Sequence, residues 1–150
     1  MNNFIENASR FDVATGHHAD AGTNSMLIQI SDINAEHPTP KMIFKEVWQF
    51  RFEDIEEDTE FAITEEQAKM IADLLKKAEE NNMNVIVHCH AGLCRSGAVA
   101  ECGIMLGFNP PDRIRLPNAL VKKKIMKELG FEINESTSVF AEEFYNRCFD

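Results

Sequence analysis

The sequence predicts an α/β domain built on a largely parallel sheet. Three observations carry that expectation. Strand-like and helix-like segments alternate along the chain, which is the pattern of strand–helix–strand units. Val85-Ile86-Val87 is apolar throughout, as a strand covered on both faces must be. Thr64-Glu65-Glu66-Gln67 opens a helix between the two best strand candidates. A chain of 150 residues suits one domain spanning positions 1–150 around one core.

The elements follow in order. Met26–Ile30 is a short apolar strand candidate. Residues 14–25 before it are polar and contain two glycines, so they read as loop. Pro38 and Pro40 make 34–41 a loop or turn. Val47–Glu53 alternates, with Trp48, Phe50 and Phe52 on one side and Gln49, Arg51 and Glu53 on the other, which predicts a half-buried strand. Thr64 and Gln67 form a capping box. Ala68, Ile71, Ala72, Leu75 and Ala78 then recur at helical spacing, and the helix should end near Asn81 and Asn82. Residues 96–106 are apolar nearly all round and predict a buried helix. Pro117–Leu129 and Ser136–Cys148 read as two more.

Composition narrows the functional classes. The apolar fraction, 44%, is that of a globular protein. No apolar run is long enough to span a membrane. Met1–Arg10 lacks a basic stretch followed by an apolar core, so no signal peptide is expected. Asn2 does not fit myristoylation, and Cys148 is misplaced for prenylation. A cytoplasmic monomer without membrane attachment is the expectation. The net charge of −10 argues against nucleic acid as a partner. Arg113, Arg115, Lys122, Lys123, Lys124 and Lys127 form the one sizeable basic cluster, read as a solvated helix face.

The chemistry concentrates in Val85-Ile86-Val87-His88-Cys89-His90-Ala91-Gly92-Leu93-Cys94-Arg95-Ser96. A five-residue loop, His90–Cys94, links a buried strand to a helix start. Such a loop can curl so that its N–H groups point inward, a nest for an anion. Gly92 supplies a residue free to take positive φ. The nest and the helix dipole should lower the pKa of a thiol placed there, which makes Cys89 a nucleophile candidate. Arg95 offers a planar fork to two phosphoryl oxygens. Ser96 can hydrogen-bond the sulfur and help it leave.

Cys89–Ser96 resembles the signature of the protein tyrosine phosphatase superfamily. The wider stretch, from Phe50-Arg51-Phe52-Glu53-Asp54 through the Thr64 helix, is similar to the compact dual-specificity branch, especially its small microbial members. The likeness runs from about Met26 to Leu106. It implies a four- to five-stranded sheet flanked by helices, a phosphorylated protein or peptide as substrate, a phosphocysteine intermediate, and neither metal nor other cofactor.

The family also implies a general acid, an Asp some thirty-odd residues before the Cys. Asp54 and Asp58 both qualify. Asp54 directly follows its strand, as Cys89 does, and parallel strands would put both on one edge, so Asp54 is the first choice. Their Glu-rich neighbours would raise the pKa of either. The pocket walls are expected from residues 10–24 and 107–116.

Cys94 departs from the dual-specificity pattern. The low-molecular-weight tyrosine phosphatases carry a second Cys at this place, which guards the first. The resemblance makes Cys94 a candidate redox partner of Cys89; as a small loop-filling residue it would have no such role. Cys102, in an apolar stretch, reads as a buried small hydrophobe.

Rival readings remain distinct. His88, Cys89, His90 and Cys94 could ligate zinc, but no second ligand pair at suitable spacing exists. A phosphate-binding module without turnover would not need both Cys89 and Arg95. A phosphoinositide phosphatase or an RNA 5′-triphosphatase could use the same signature, and for the RNA enzyme the net negative charge counts against it.

Overall fold

The computed structural model describes residues 3–131. The helix expected at Ser136–Cys148 lies outside the described residues, and so does Cys148. Among the described residues four strands form the sheet: β1 Ile5–Ser9, β2 Ser25–Ser31, β3 Glu46–Arg51 and β4 Asn84–Cys89. Their spatial order is β1-β4-β2-β3, and every pairing is parallel. The helices are α1 Arg10–Thr15, α2 Glu65–Glu80, α3 Arg95–Leu106 and α4 Ala119–Glu128.

The parallel sheet explains the apolar runs Met26–Ile28 in β2 and Val85–Val87 in β4. Met26, Ile28, Ile30, Val85 and Val87 face the main core with Ile71, Leu75 and Val99 of the helices. Leu27 and Ile86 face the opposite side with Ala8, Val13 and Ala21. Both faces are covered, so alternation with polar residues is lost. Full burial of a side chain such as Ile71 or Leu75 contributes about 1.5–3 kcal/mol each.

The Thr64 box forms as expected. Thr64 Oγ1 accepts from Gln67 N at 3.0 Å, and Gln67 Oε1 accepts from Thr64 N at 2.9 Å. α2 ends at Glu80, with Asn82 at φ 54 turning the chain away. α4 starts later than Pro117 because Asn118 is its N-cap, the side chain accepting from Val121 N.

Three expectations need correction. β1 and α1 were not foreseen, and residues 14–15, read as loop, complete α1. β1 hides because Asn7, 1% exposed, interrupts its apolar pattern, and α1 has a box of its own, Ser9 with Asp12. Trp48 is 36% exposed rather than on a buried face. β3 is the sheet edge, and of its predicted apolar side only Phe50 and Phe52 reach the core. The basic cluster is not a simple solvated face: Arg113 pairs with Glu6 and Asp12, Arg115 with Glu101, and Lys124 is buried against Asp58.

Candidate active site

The carboxyl ends of β2, β3 and β4 share one edge of the sheet, as parallel pairing requires. Residues 90–94 connect Cys89 at the end of β4 to Arg95 at the start of α3. Gly92 sits at φ 77, and a Cβ there would lie 2.6 Å from both Ala8 C and Ser9 N. Those atoms are backbone and cannot swing aside, so this position admits only glycine. Asn7 Nδ2 donates to Gly92 O at 2.7 Å and to Ile114 O at 3.0 Å. Arg10 N donates to His90 O at 3.1 Å. The unforeseen β1–α1 junction is thus the bed of the loop.

Cys89 is buried, and its Sγ lies 3.1 Å from Ser96 Oγ. His88 is fully buried, and that burial lowers its pKa to about 4. The ring is therefore neutral at pH 7, and its Nδ1 donates to Cys89 O at 3.1 Å.

Arg95 is held from behind. Its Nη1 donates to Asp32 Oδ1 at 2.7 Å and to Phe52 O at 2.8 Å. The side chain is only 4% exposed, and its buried Nε has no partner. A desolvated guanidinium N–H without an acceptor is costly, so this atom is suited to donate to an anion. The sequence reading missed Asp32. Its place directly after β2, on the edge where β3 and β4 also end, is the signal that could have found it.

A cleft of about 330 Å³ opens over these groups. Cys89, His90, Ala91, Cys94 and Arg95 form its floor, and Asp32, Glu53, Asp54 and Ile55 its walls. Gly92 and Leu93, placed in the same phosphate loop by the sequence reading, do not line it. The walls therefore come from the ends of β2 and β3, not from residues 10–24 and 107–116. Those segments underpin the loop instead, through Arg10 N and through Leu116 N, which donates to Leu93 O.

Asp54 reaches the cleft although β3 does not run beside β4; β2 lies between them. Its Oδ1 accepts from Asn118 Nδ2 at 2.8 Å. Asp58 does not line the cleft: Lys124 Nζ holds its Oδ1 at 2.6 Å, with the side chain 61% exposed. Cys94 is the N-cap of α3, and its side chain makes no capping hydrogen bond. Its thiol is pushed up to about 11, first by burial, then by the charge of Asp54 and Cys89 and a hydrogen bond to Asp54. Cys102 is fully buried with its thiol pushed up to about 12, the small hydrophobe expected.

No family model and no curated protein matches the chain by sequence. Solved structures do. OH1 from Orf virus, described as a tyrosine phosphatase with triple substrate specificity, matches with TM-score 0.52 at 18% identity, over 98% of this chain and 71% of that one. A mouse putative dual specificity phosphatase, complexed with zinc tungstate, gives 0.58 at 15% identity, over 84% and 80%. A human tyrosine phosphatase-like serine/threonine/tyrosine-interacting protein gives 0.54 at 18%, over 82% and 89%. The likeness establishes the fold: a four-stranded parallel sheet with flanking helices, of the compact dual-specificity tyrosine phosphatase type. Among the described residues no helix is long and apolar enough to cross a membrane.

Proposed function

We propose that a chain with this fold and this loop is a phosphoric monoester hydrolase acting on phosphotyrosine, and on phosphoserine or phosphothreonine where they can reach the floor of the cleft. The observation that carries the reading is the buried, unpartnered Nε of Arg95 beside Cys89. Asp32 and Phe52 O occupy Nη1, so the fork presents its other edge to the loop.

In this mechanism the Cys89 sulfur attacks phosphorus, and the P–O bond to the leaving group breaks as the P–S bond forms. The loop N–H groups and Arg95 hold the phosphoryl oxygens as charge builds on them. Asp54 gives its proton to the departing oxygen. Water then attacks the phosphocysteine, Asp54 takes the water proton, and phosphate leaves. The Ser96 hydroxyl, 3.1 Å from Sγ, donates to the sulfur as it departs. No metal or other cofactor takes part in the scheme.

The walls favour a monophosphoryl protein or peptide over an RNA 5′-triphosphate or a polyphosphorylated inositide. Asp32 and Glu53 would repel the additional phosphates. The test is a turnover panel of phosphotyrosyl and phosphoseryl peptides, phosphoinositide and triphosphorylated RNA, with Cys89→Ser as control. Turnover of the phosphotyrosyl peptide that vanishes in Cys89→Ser is the expected result. Binding without turnover by the wild type would make the protein a phosphate-binding module, and substantial activity in Cys89→Ser would remove the nucleophile.

Cys94 enters the proposal as the redox partner of Cys89. With its pKa pushed up to about 11 it is almost wholly a thiol at pH 7, and because only a thiolate attacks peroxide readily, peroxide spares it. Peroxide would oxidise Cys89 to a sulfenic acid, and the Cys94 thiol would condense with it, forming the disulfide and releasing water. Wild type should regain activity with dithiothreitol after peroxide, and Cys94→Ser should not. Equal recovery in both would leave Cys94 as loop filling.

A further inference from the structure

Asn118 lies 64 residues from Asp54 in sequence, yet every polar group of its side chain is spent near the cleft. It is 3% exposed. Nδ2 donates to Asp54 Oδ1 at 2.8 Å and to Ile55 O at 3.1 Å, and Oδ1 accepts from Val121 N at 3.0 Å. Its backbone N donates to Cys94 O at 3.0 Å. One residue therefore joins the wall that carries Asp54, the last residue of the phosphate loop and the first turn of α4.

The amide orientation is not arbitrary. Val121 N is a donor, so the atom facing it must be the Asn118 carbonyl oxygen, and Nδ2 is left to face Asp54. Nδ2 can only donate. Asp54 Oδ1 must then be an acceptor, and the proton of a protonated Asp54 resides on Oδ2. Other anchors hold the same segment without touching a carboxylate of the cleft. Ala119 N donates to Glu56 Oε1 at 3.1 Å, and Lys124 Nζ holds Asp58.

We infer that Asn118 is a positioning residue for the general acid: it holds Oδ1 of Asp54 so that Oδ2 presents the proton to the leaving oxygen over the Cys89 loop. The inference rests on the reading of Asp54 as that acid.

The test compares kcat/KM for two substrates, because kcat/KM reports the steps up to departure of the leaving group. Phenyl phosphate needs a proton on its leaving oxygen, and 2,4-dinitrophenyl phosphate does not. Asn118→Ser keeps a good N-cap and removes the donor. It should lower kcat/KM for phenyl phosphate about tenfold or more and leave 2,4-dinitrophenyl phosphate within about twofold. Asn118→Asp also keeps the cap but turns an acceptor toward Asp54, and it should show the same selective loss. Neither substitution should lower the rate further when added to Asp54→Asn. Equal losses on both substrates, unchanged rates in both variants, or additional loss in the Asp54→Asn background would each overturn the positioning role. If Asp54→Asn itself shows no selective loss, the acid assignment fails, and the inference falls with it.

Discussion

The Cys89–Arg95 loop and the segment that carries Asp54 meet in one cleft but are built in opposite ways. Residues 89–95 are bounded by a strand and a helix of their own, and the groups proposed to do the chemistry there sit seven positions apart at most, as Cys89 and Ser96 do. Residues 53–58 contain no regular element. Their position is set by partners from far along the chain: Asn118 for Asp54, Ala119 for Glu56 and Lys124 for Asp58. The lesson is that the proposed anion site is a local device. Its alignment with the proposed acid is a property of how α4 packs.

The comparison can be broken most severely at the loop. Arg95→Lys replaces a fork with a point charge and loses the back-side hold on Asp32 and Phe52 O together. Turnover of a phosphotyrosyl peptide should fall by about 10²–10³. A loss under tenfold, measured as kcat, would show that the fork is not used.

The acid segment should give a smaller and substrate-dependent effect. Asp54→Asn should slow phenyl phosphate by about 10²-fold and barely touch 2,4-dinitrophenyl phosphate. Should Asp58→Asn show that pattern instead, the acid assignment would pass to Asp58.

Asp32 joins the two regions, since it sits in the wall and grips the floor. Asp32→Asn can still accept from Nη1, and Phe52 O remains, so kcat/KM should fall only about tenfold, with inhibition by inorganic phosphate altered in parallel. An unchanged response to both would mean the ion pair does not orient Arg95.

Asp58→Asn sharpens the contrast from the other side. Its partner Lys124 is buried and keeps Ile63 O at 2.7 Å, so turnover should stay within about twofold while stability drops by about 1 kcal/mol in urea unfolding.

The last effect concerns pH and falls beside the loop. His88 titrates near 4 in the folded chain against 6.5 for the free side chain. The unfolded chain therefore binds more protons between those values, so stability is lost as pH falls from about 6.5 and recovers as pH rises. The His88 ring resonance should stay that of a neutral imidazole from pH 7.5 to about 5.5 in an NMR titration. A midpoint near 6.5 would contradict the burial of the ring.

Much of this protein could be read without coordinates. The Thr64–Gln67 box, the Val85–Val87 strand and the Cys89–Ser96 signature are patterns of neighbouring residues, and local hydrogen bonding and periodicity act at that range. The parallel sheet followed from the order of those patterns, which also put Asp54 ahead of Asp58 as the proposed acid. β1 was not legible, because Asn7 stands where an apolar residue would advertise a strand, and its amide is spent on Gly92 O and Ile114 O. Trp48 misled because alternation marks two faces but not whether a strand lies at an edge. Asp32 looked like any acid before a loop until Arg95, 63 residues away, was seen to take its Oδ1. The sequence by itself determined the loop that carries Cys89, since strand, turn and helix start are contiguous there. Only the tertiary structure decided which carboxylates stand over that loop, because their positions depend on packing and hydrogen bonds between segments that no local spacing records.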